Sequence, residues 1–90
     1  MGIMDSINKT VDVELQTEID SKQITYDIID ELILCRRKKN MTQQDIADAT
    51  GIKRSNIARI ESKKMGTTID TLVRYAEGLG MKVNVFLEEK

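Results

Sequence analysis

Apolar residues recur at helical spacing along most of the chain, and this pattern predicts four amphipathic helices. In the first, Ile24, Ile28, Leu32 and Cys35 follow one another at intervals of three or four residues, which places them on one helix face. Further aliphatic residues lie beside this stripe, so the N-terminal segment or a partner chain should cover the rest of that helix. The predicted helices cover residues 23–39, 42–49, 53–62 and 68–79.

The ends of these helices carry capping signals. Asn40 follows a basic last turn and tolerates the left-handed backbone that often ends a helix. Thr42, with Asp45 three residues later, matches a capping box with Asp in the usual Glu position. Gly51 permits a sharp turn between the second and third helices, and the Thr67–Thr68 pair can cap the fourth.

The apolar faces of the four helices are expected to share one core. Ala47 should lie where two helices cross closely, because a larger side chain would force them apart. The fourth helix is expected to bury Ile69, Leu72, Val73, Ala76 and Leu79. The predicted core consists of Ile28, Leu32, Ile46, Ala47, Ile52, Ile57, Ile60, Leu72 and Leu79.

Two segments of different character flank the helices. Residues 1–22 form an acidic and polar arm, in which the brief alternation of Val11, Val13 and Leu15 fits a strand, a poorly ordered arm or part of a helix. Residues 81–90 begin with an alternation of apolar and polar side chains that predicts a strand. The chain therefore divides into an arm at 1–22, a helical domain at 23–80 and a C-terminal strand at 81–90.

Charge is distributed unevenly along the 90 residues, although the chain carries a net charge of only −1. Residues 1–35 hold two lysines and eight acidic residues, whereas residues 36–64 hold nine basic and three acidic residues. Phosphate contacts depend on the local field and not on the net charge of the whole protein. The basic middle third therefore indicates a nucleic-acid-binding face.

Several other classes of protein do not fit the residue inventory. The longest apolar run, Leu32–Cys35, is far shorter than the roughly 20 residues of a membrane span, so we expect a cytoplasmic protein without membrane contact. With one cysteine and no histidine, no metal site or cofactor is expected. The sequence has no glycine-rich phosphate loop and no nucleophile beside a base, so we expect no enzymatic activity.

The run Met41–Glu61 is the most specific motif, and it resembles the Cro/repressor-type helix-turn-helix family, also called the Xre family. The resemblance extends over residues 28–80. Its shared elements are Thr42-Gln43, Ile46-Ala47, Gly51-Ile52, Ile57, Arg59-Ile60-Glu61 and the later run Thr68–Leu72. It implies a mainly α, lambda-repressor-like domain with four core helices, here followed by the C-terminal β-strand. It also implies sequence-specific binding to double-stranded DNA as a transcriptional repressor.

The resemblance places the third helix in the major groove. Arg54 and Asn56 are then expected to read bases, because their side chains form paired hydrogen bonds with guanine and adenine respectively, while Ser55 is adaptable. Gln43 matches a family position that bonds phosphate at the positive end of a helix. Further phosphate contacts are expected from Lys53, Arg59, Lys63 and Lys64, with a solvated charged face, the more usual role of a charge run, as the alternative.

The family also commonly pairs an arginine late in the first helix with the glutamate that ends the third. Arg36 and Glu61 occupy these positions, so Glu61 is expected to form a structural ion pair and to have no catalytic role. Two departures from the family pattern are Thr67, where a proline is usual, and Lys53, where a Ser or Thr cap is usual.

Two functions remain open at this point. The first is an autonomous regulator, and the second is the antitoxin of a type II toxin–antitoxin pair that binds a small basic toxin and represses its own operon. The small size, the acidic arm and the C-terminal strand resemble that second group. We also expect a homodimer joined through Val83, Val85 and Leu87, with the Val11–Leu15 segment and a sheet edge of the toxin as rival partners for the strand.

Overall fold

Four α-helices form most of the described chain, with one short strand before them and one after. The computed structural model describes residues 11–12, 18–64 and 66–89. The last three helices lie within one residue of their predicted bounds, whereas the first begins five residues earlier than predicted. In chain order the elements are β1 (Val11–Asp12), α1 (Glu18–Lys38), α2 (Gln43–Thr50), α3 (Arg54–Ser62), α4 (Ile69–Gly78) and β2 (Val85–Phe86).

The predicted capping signals determine where the helices begin and end. The Thr42 side chain accepts the Asp45 N–H at 3.0 Å, and the Asp45 carboxylate accepts the Thr42 N–H at 2.8 Å, so the capping box is complete. Asn40 and Gly51 have φ values of 57° and 79°, the left-handed backbone that each turn requires. Of the two threonines before α4, Thr68 forms the cap.

The core lies between the helices, and the predicted core is confirmed at every position but one. Ile28 was wrongly assigned to it: the residue is only half-buried, and its neighbour Ile29 is buried instead. The inward face of α1 runs through Ile29, Leu32 and Arg36, because this rotation brings Arg36 to α3. The other eight predicted residues are buried: Leu32, Ile46, Ala47, Ile52, Ile57, Ile60, Leu72 and Leu79.

Helix α4 buries a different set of residues from the one predicted. Ile69 was predicted to be buried and is 67% exposed. It is the first residue of α4, directly after the N-cap Thr68. Tyr75, which the sequence analysis did not include in the core, is fully buried, whereas Val73 is half-buried.

The two strands pair with each other in parallel. Val11 lies opposite Val85, and Asp12 lies opposite Phe86. Strand β2 is thus shorter than the predicted C-terminal strand and takes the intrachain partner that stood as a rival to the homodimer, while Val13 and Leu15 lie outside the described residues. None of the described helices is long and apolar enough to cross a membrane.

Candidate nucleic-acid interface

A cluster of polar side chains meets at the carboxylate of Glu61, at the end of α3. Arg36 of α1 donates from Nε to Oε2 at 2.9 Å and from Nη2 to Oε1 at 3.0 Å. Its third nitrogen, Nη1, donates to the carbonyl of Met41 at 2.9 Å. The Arg36 and Glu61 side chains are 11% and 8% exposed, so the predicted partners form a buried ion pair with two parallel hydrogen bonds.

Two further helices donate to the same carboxylate. Gln43 of α2 donates from Nε2 to Oε1 at 3.0 Å, and the Tyr75 hydroxyl of α4 donates to Oε2. We call Arg36, Gln43, Glu61 and Tyr75 the Glu61 cluster. Because its members come from all four helices, the cluster fixes α3 relative to the rest of the domain.

The Glu61 cluster shifts the pKa values of its members. Burial alone would raise the pKa of Glu61, but hydrogen bonds from Arg36, Tyr75 and Gln43, together with the Arg36 charge, lower it below the usual range. Burial and the hydrogen bond to Glu61 raise the pKa of Tyr75. At neutral pH Glu61 is therefore ionised and Tyr75 is a protonated donor, which makes the cluster a structural lock.

The opposite end of α3 has a different character. Lys53 occupies the N-cap without forming a side-chain cap, which agrees with its departure from the family pattern. Lys53, Arg54, Ser55 and Asn56 are all exposed. Their side chains form no hydrogen bond or ion pair with any residue that the structure describes, so their donors point to solvent. This recognition tip, Lys53–Asn56, combines exposed donors with the positive end of a helix dipole.

Two grooves flank the recognition tip. Arg37, Asn40, Thr42, Gln43, Gln44 and Arg54 are among the residues that line the first groove, between the ends of α1 and α3. Lys53, Asn56, Arg59, Thr68, Thr71 and Arg74 are among those that line the second, between α3 and α4. No acidic residue lines either groove, although the chain as a whole has slightly more acidic than basic residues. Both grooves therefore suit anions.

The predicted phosphate contacts fall into two groups. Arg59 and Lys64 are exposed, and their side chains make no hydrogen bond or ion pair within the described chain. Lys63 instead pairs with Asp30 of α1 and lies 5.9 Å from the centre of the Tyr26 ring. The Gln43 side chain donates one of its two amide hydrogens to Glu61. The structure thus places Lys53 in the recognition tip and Arg59 in the second groove beside it, leaves Lys64 beyond the other end of α3, and holds Lys63 against α1.

Sequence reasoning missed residues that only the packed helices bring to the site. Arg74 lines the second groove and donates from Nη2 to the carbonyl of Thr50 at 3.3 Å. The three-residue spacing of Thr68, Thr71 and Arg74 on α4 was a usable signal, because it places them on one helix face. Tyr75 carried a similar signal, since it lies three residues after the buried Leu72.

Comparison with known proteins identifies the arrangement of α2 and α3. A sequence model described as "Helix-turn-helix" matches residues 32–86, more than half of the chain. The chain belongs to this helix-turn-helix family. A Haemophilus influenzae protein described as an uncharacterized HTH-type transcriptional regulator is 27% identical over 70 residues, covering 78% of this chain and 71% of that protein. No solved structure gives a significant match.

Family membership assigns a role to each part of the motif. Helices α2 and α3 are the two helices of the helix-turn-helix, joined through Gly51, and buried Ala47 and Ile57 hold their crossing. The domain is an Xre/Cro-like DNA-binding domain of the transcription-regulator class. Helix α3, with the recognition tip at its start, corresponds to the second helix of the motif, the element that enters the DNA major groove in this class.

Proposed function

We propose that this helix-turn-helix chain binds duplex DNA in a sequence-specific manner through the recognition tip and acts as a transcriptional repressor. The observation that carries this proposal is a difference between the two ends of α3: polar side chains are hydrogen-bonded within the protein at one end and not at the other. The Glu61 carboxylate at its C-terminal end accepts hydrogen bonds from the other three helices, whereas the side-chain donors at its N-terminal tip have no partner among the described residues. Exposed donors on a rigid helix are available to an external ligand.

Two side chains at the recognition tip are suited to read bases. Arg54 presents a planar fork that matches the O6 and N7 acceptors of guanine, and the Asn56 amide matches the N7 acceptor and N6 donor of adenine. Ser55 can donate or accept and therefore adapts to either strand. The DNA major groove is about 12 Å wide and admits one helix, so α3 fits with its tip against the bases.

The two grooves beside the tip are suited to the phosphates on either side of the DNA major groove. Lys53 and Arg59 line the second groove, and Lys64 extends the basic surface beyond the end of α3. On the other side, the bond to Glu61 holds the Gln43 side chain at the start of α2 and leaves its second amide hydrogen for a phosphate. Phosphate contacts of this kind position the tip without reading sequence.

The proposal extends to repression and dimerisation, and the geometry of DNA recognition supports it. A single recognition helix reads only a few base pairs, so useful specificity requires two copies on half-sites about 34–36 Å apart. A pair of domains that occupies such a site excludes other proteins from it. We therefore propose a homodimer bound at its operator as the repressing species.

A second candidate function is that of a type II antitoxin which also represses its own operon. It is favoured by the exposed apolar residues of the C-terminal segment, with Phe86 55% and Leu87 79% exposed, together with the acidic first third of the chain. A small basic protein encoded beside this chain, and rescue from its toxicity by co-expression, would establish this role. DNA binding through the recognition tip is common to both functions.

The experiment that tests the proposal is a binding titration over a series of salt concentrations. A duplex selected from random sequence and a scrambled duplex of equal length are compared by fluorescence anisotropy. We expect the selected duplex to bind about 10³-fold or more tightly, with affinity for both falling steeply as salt rises. No detectable duplex binding at low salt would rule the proposal out. A promoter-reporter assay with the selected site then tests repression.

A further inference from the structure

Thr50, the last residue of α2, is hydrogen-bonded both to its own helix and to the turn that follows it. Its hydroxyl donates to the Ile46 carbonyl at 2.7 Å and accepts the Ile52 N–H at 3.1 Å. Its carbonyl accepts Nη2 of Arg74 at 3.3 Å. Helix α2 has no basic residue in its own last turn, so Arg74 of α4 brings the cation that the negative end of this helix favours. The turn after α2 is therefore tied to α2 by the Thr50 hydroxyl and to α4 through Arg74.

Gly78 of α4 lies directly against the Thr50 side chain. A Cβ atom at position 78 would stand 2.6 Å from Cγ2 of Thr50, 3.6 Å from Cβ of Ala49 and 3.8 Å from Cγ2 of Ile46. Carbon atoms pack at about 3.5–4.0 Å, so the Thr50 methyl is the group that a side chain there would strike. Rotation of the methyl away from α4 would break the two hydrogen bonds of the Thr50 hydroxyl. Thr50 therefore keeps its conformation only because position 78 is a glycine.

The recognition tip begins three residues after Thr50, at Lys53. Between them, Gly51 turns the chain with a φ of 79° and donates its N–H to the Ala47 carbonyl at 2.9 Å, and Ile52 is buried. Lys53 is the N-cap of α3 but forms no side-chain cap hydrogen bond. The direction in which α3 starts is therefore set by the preceding turn and not by a cap of its own.

We propose that Thr50 is a positioning residue for DNA recognition: it fixes the turn that aims the recognition tip, and Gly78 supplies the space in which it does so. The inference rests on the proposed DNA binding, since Thr50 precedes the tip and is not part of it. Recognition groups must be held within about 0.5 Å of the productive geometry. Phosphate contacts carry no sequence information. A loosened turn should therefore lower discrimination between sequences more than it lowers general affinity for duplex DNA.

The anchor is tested first without DNA, by amide exchange measured with NMR. Thr50→Val keeps the shape of the side chain and removes its hydroxyl, so the Ile52 amide should exchange with solvent about tenfold faster or more. The amides of α1 should keep their rates. Thr50→Ser keeps the hydroxyl and is the matched variant, in which Ile52 should exchange as in the parent chain. Equal exchange of Ile52 in the two variants would overturn the anchor.

The link to DNA is tested by the ratio of the Kd values for the scrambled and selected duplexes. Gly78→Ala should lower this ratio about tenfold or more, the contribution of one paired base contact, while the Kd for the scrambled duplex stays within about twofold. Thr50→Val should lower the ratio in the same direction. Adding Thr50→Ser to Gly78→Ala removes the obstructing methyl and should restore the ratio, whereas Thr50→Ser alone should leave it close to the parent value.

Urea titrations of the same variants separate positioning from stability. Alanine is a better helix former than glycine, so a loss of stability does not account for poorer reading if the urea midpoint of Gly78→Ala stays at or above that of the parent. A folded Gly78→Ala chain that discriminates like the parent would overturn the proposal, as would failure of Thr50→Ser to restore discrimination. If Gly78→Ala does not fold, Thr50→Val adds no heavy atom and decides the question by the same ratio. A parent chain that binds no duplex would instead rule out the proposed function, and the Ile52 exchange would still judge the anchor.

Discussion

The two ends of α3 use polar side chains in opposite ways. At the C-terminal end, Glu61 is 8% exposed in its side chain and accepts hydrogen bonds from three other helices. At the N-terminal end, Lys53–Asn56 are exposed and make no side-chain hydrogen bond within the described chain. Buried polar groups need hydrogen-bond partners within the protein, whereas exposed ones are hydrated and remain available to a ligand. The same helix thus carries a structural lock at one end and a reading surface at the other.

The largest effect is expected from removing the main donor of the lock. Arg36→Ala leaves the Glu61 carboxylate and the Met41 carbonyl without their arginine donors, so the free energy of unfolding should fall by about 3–5 kcal/mol in urea titrations. Arg37→Ala removes an adjacent exposed arginine and should change stability by less than about 0.5 kcal/mol. A loss below about 1 kcal/mol in Arg36→Ala would show that the ion pair behaves as an exposed one.

A substitution in the recognition tip should have the opposite effect: it should reduce DNA affinity and leave stability unchanged. Arg54→Ala should weaken binding to the selected duplex by about 1–3 kcal/mol and relax the preference at one base pair, while leaving the urea midpoint unchanged. Lys22→Ala, which removes an exposed cation about 21 Å along α1 from Arg36, is the control for net charge. If Arg54→Ala lowered stability as much as affinity, the division of α3 into two functional ends would fail.

Acid should weaken the lock before it affects the reading surface. The pKa of Glu61 is lower in the folded state, so the unfolded chain binds more protons as the pH falls. The stabilisation by Glu61 is therefore complete above the ordinary glutamate range, about pH 4.3, and is lost as pH falls through the lower folded pKa. Glu61→Gln should be less stable at neutral pH and should show a flatter loss of stability on acidification. Equal slopes for both proteins would contradict the assignment.

The smallest effects on DNA affinity and stability are expected from two neighbouring lysines, Lys63 and Lys64, which should differ from each other. Lys64→Ala should weaken binding to all duplexes alike and reduce the salt slope by about one. Lys63→Ala should have less effect on DNA, because Lys63 pairs with Asp30, and should cost at most about 1 kcal/mol of stability. Anisotropy titrations of both variants at several salt concentrations make the comparison. A larger DNA effect for Lys63 would show that the pair with Asp30 opens on binding.

Local signals in the sequence were sufficient for the helix ends and for the motif. The capping box at Thr42 and Asp45 and the turn at Gly51 depend on neighbouring residues only, and they appear where predicted. Ala47 and Ile57 are buried as the motif requires. The motif also placed Arg54 and Asn56 at the start of the third helix, where the structure exposes them.

The burial of particular residues and the contacts between helices could not be predicted from the sequence, because they depend on how the helices pack in three dimensions. Apolar residues surround α1, so periodicity could not decide between Ile28 and Ile29, and the contact of Arg36 with α3 decided it. Ile69 has the spacing of a buried residue, yet at the start of α4 it is 67% exposed. Tyr75 reaches Glu61 only because α3 and α4 approach the cluster from different sides, which no local pattern encodes.

The hydrogen bonds from α1, α2 and α4 to the Glu61 carboxylate of α3 also affect how the domain unfolds. If α1, α2 or α4 detached alone, it would withdraw a hydrogen bond from a buried charge, so partial opening is costly. The domain should therefore lose its helices in one cooperative transition, with the slowest backbone amides of all four helices exchanging with solvent at a common free energy. The recognition tip is exempt from this coupling, and its side chains can change their rotamers without opening the fold.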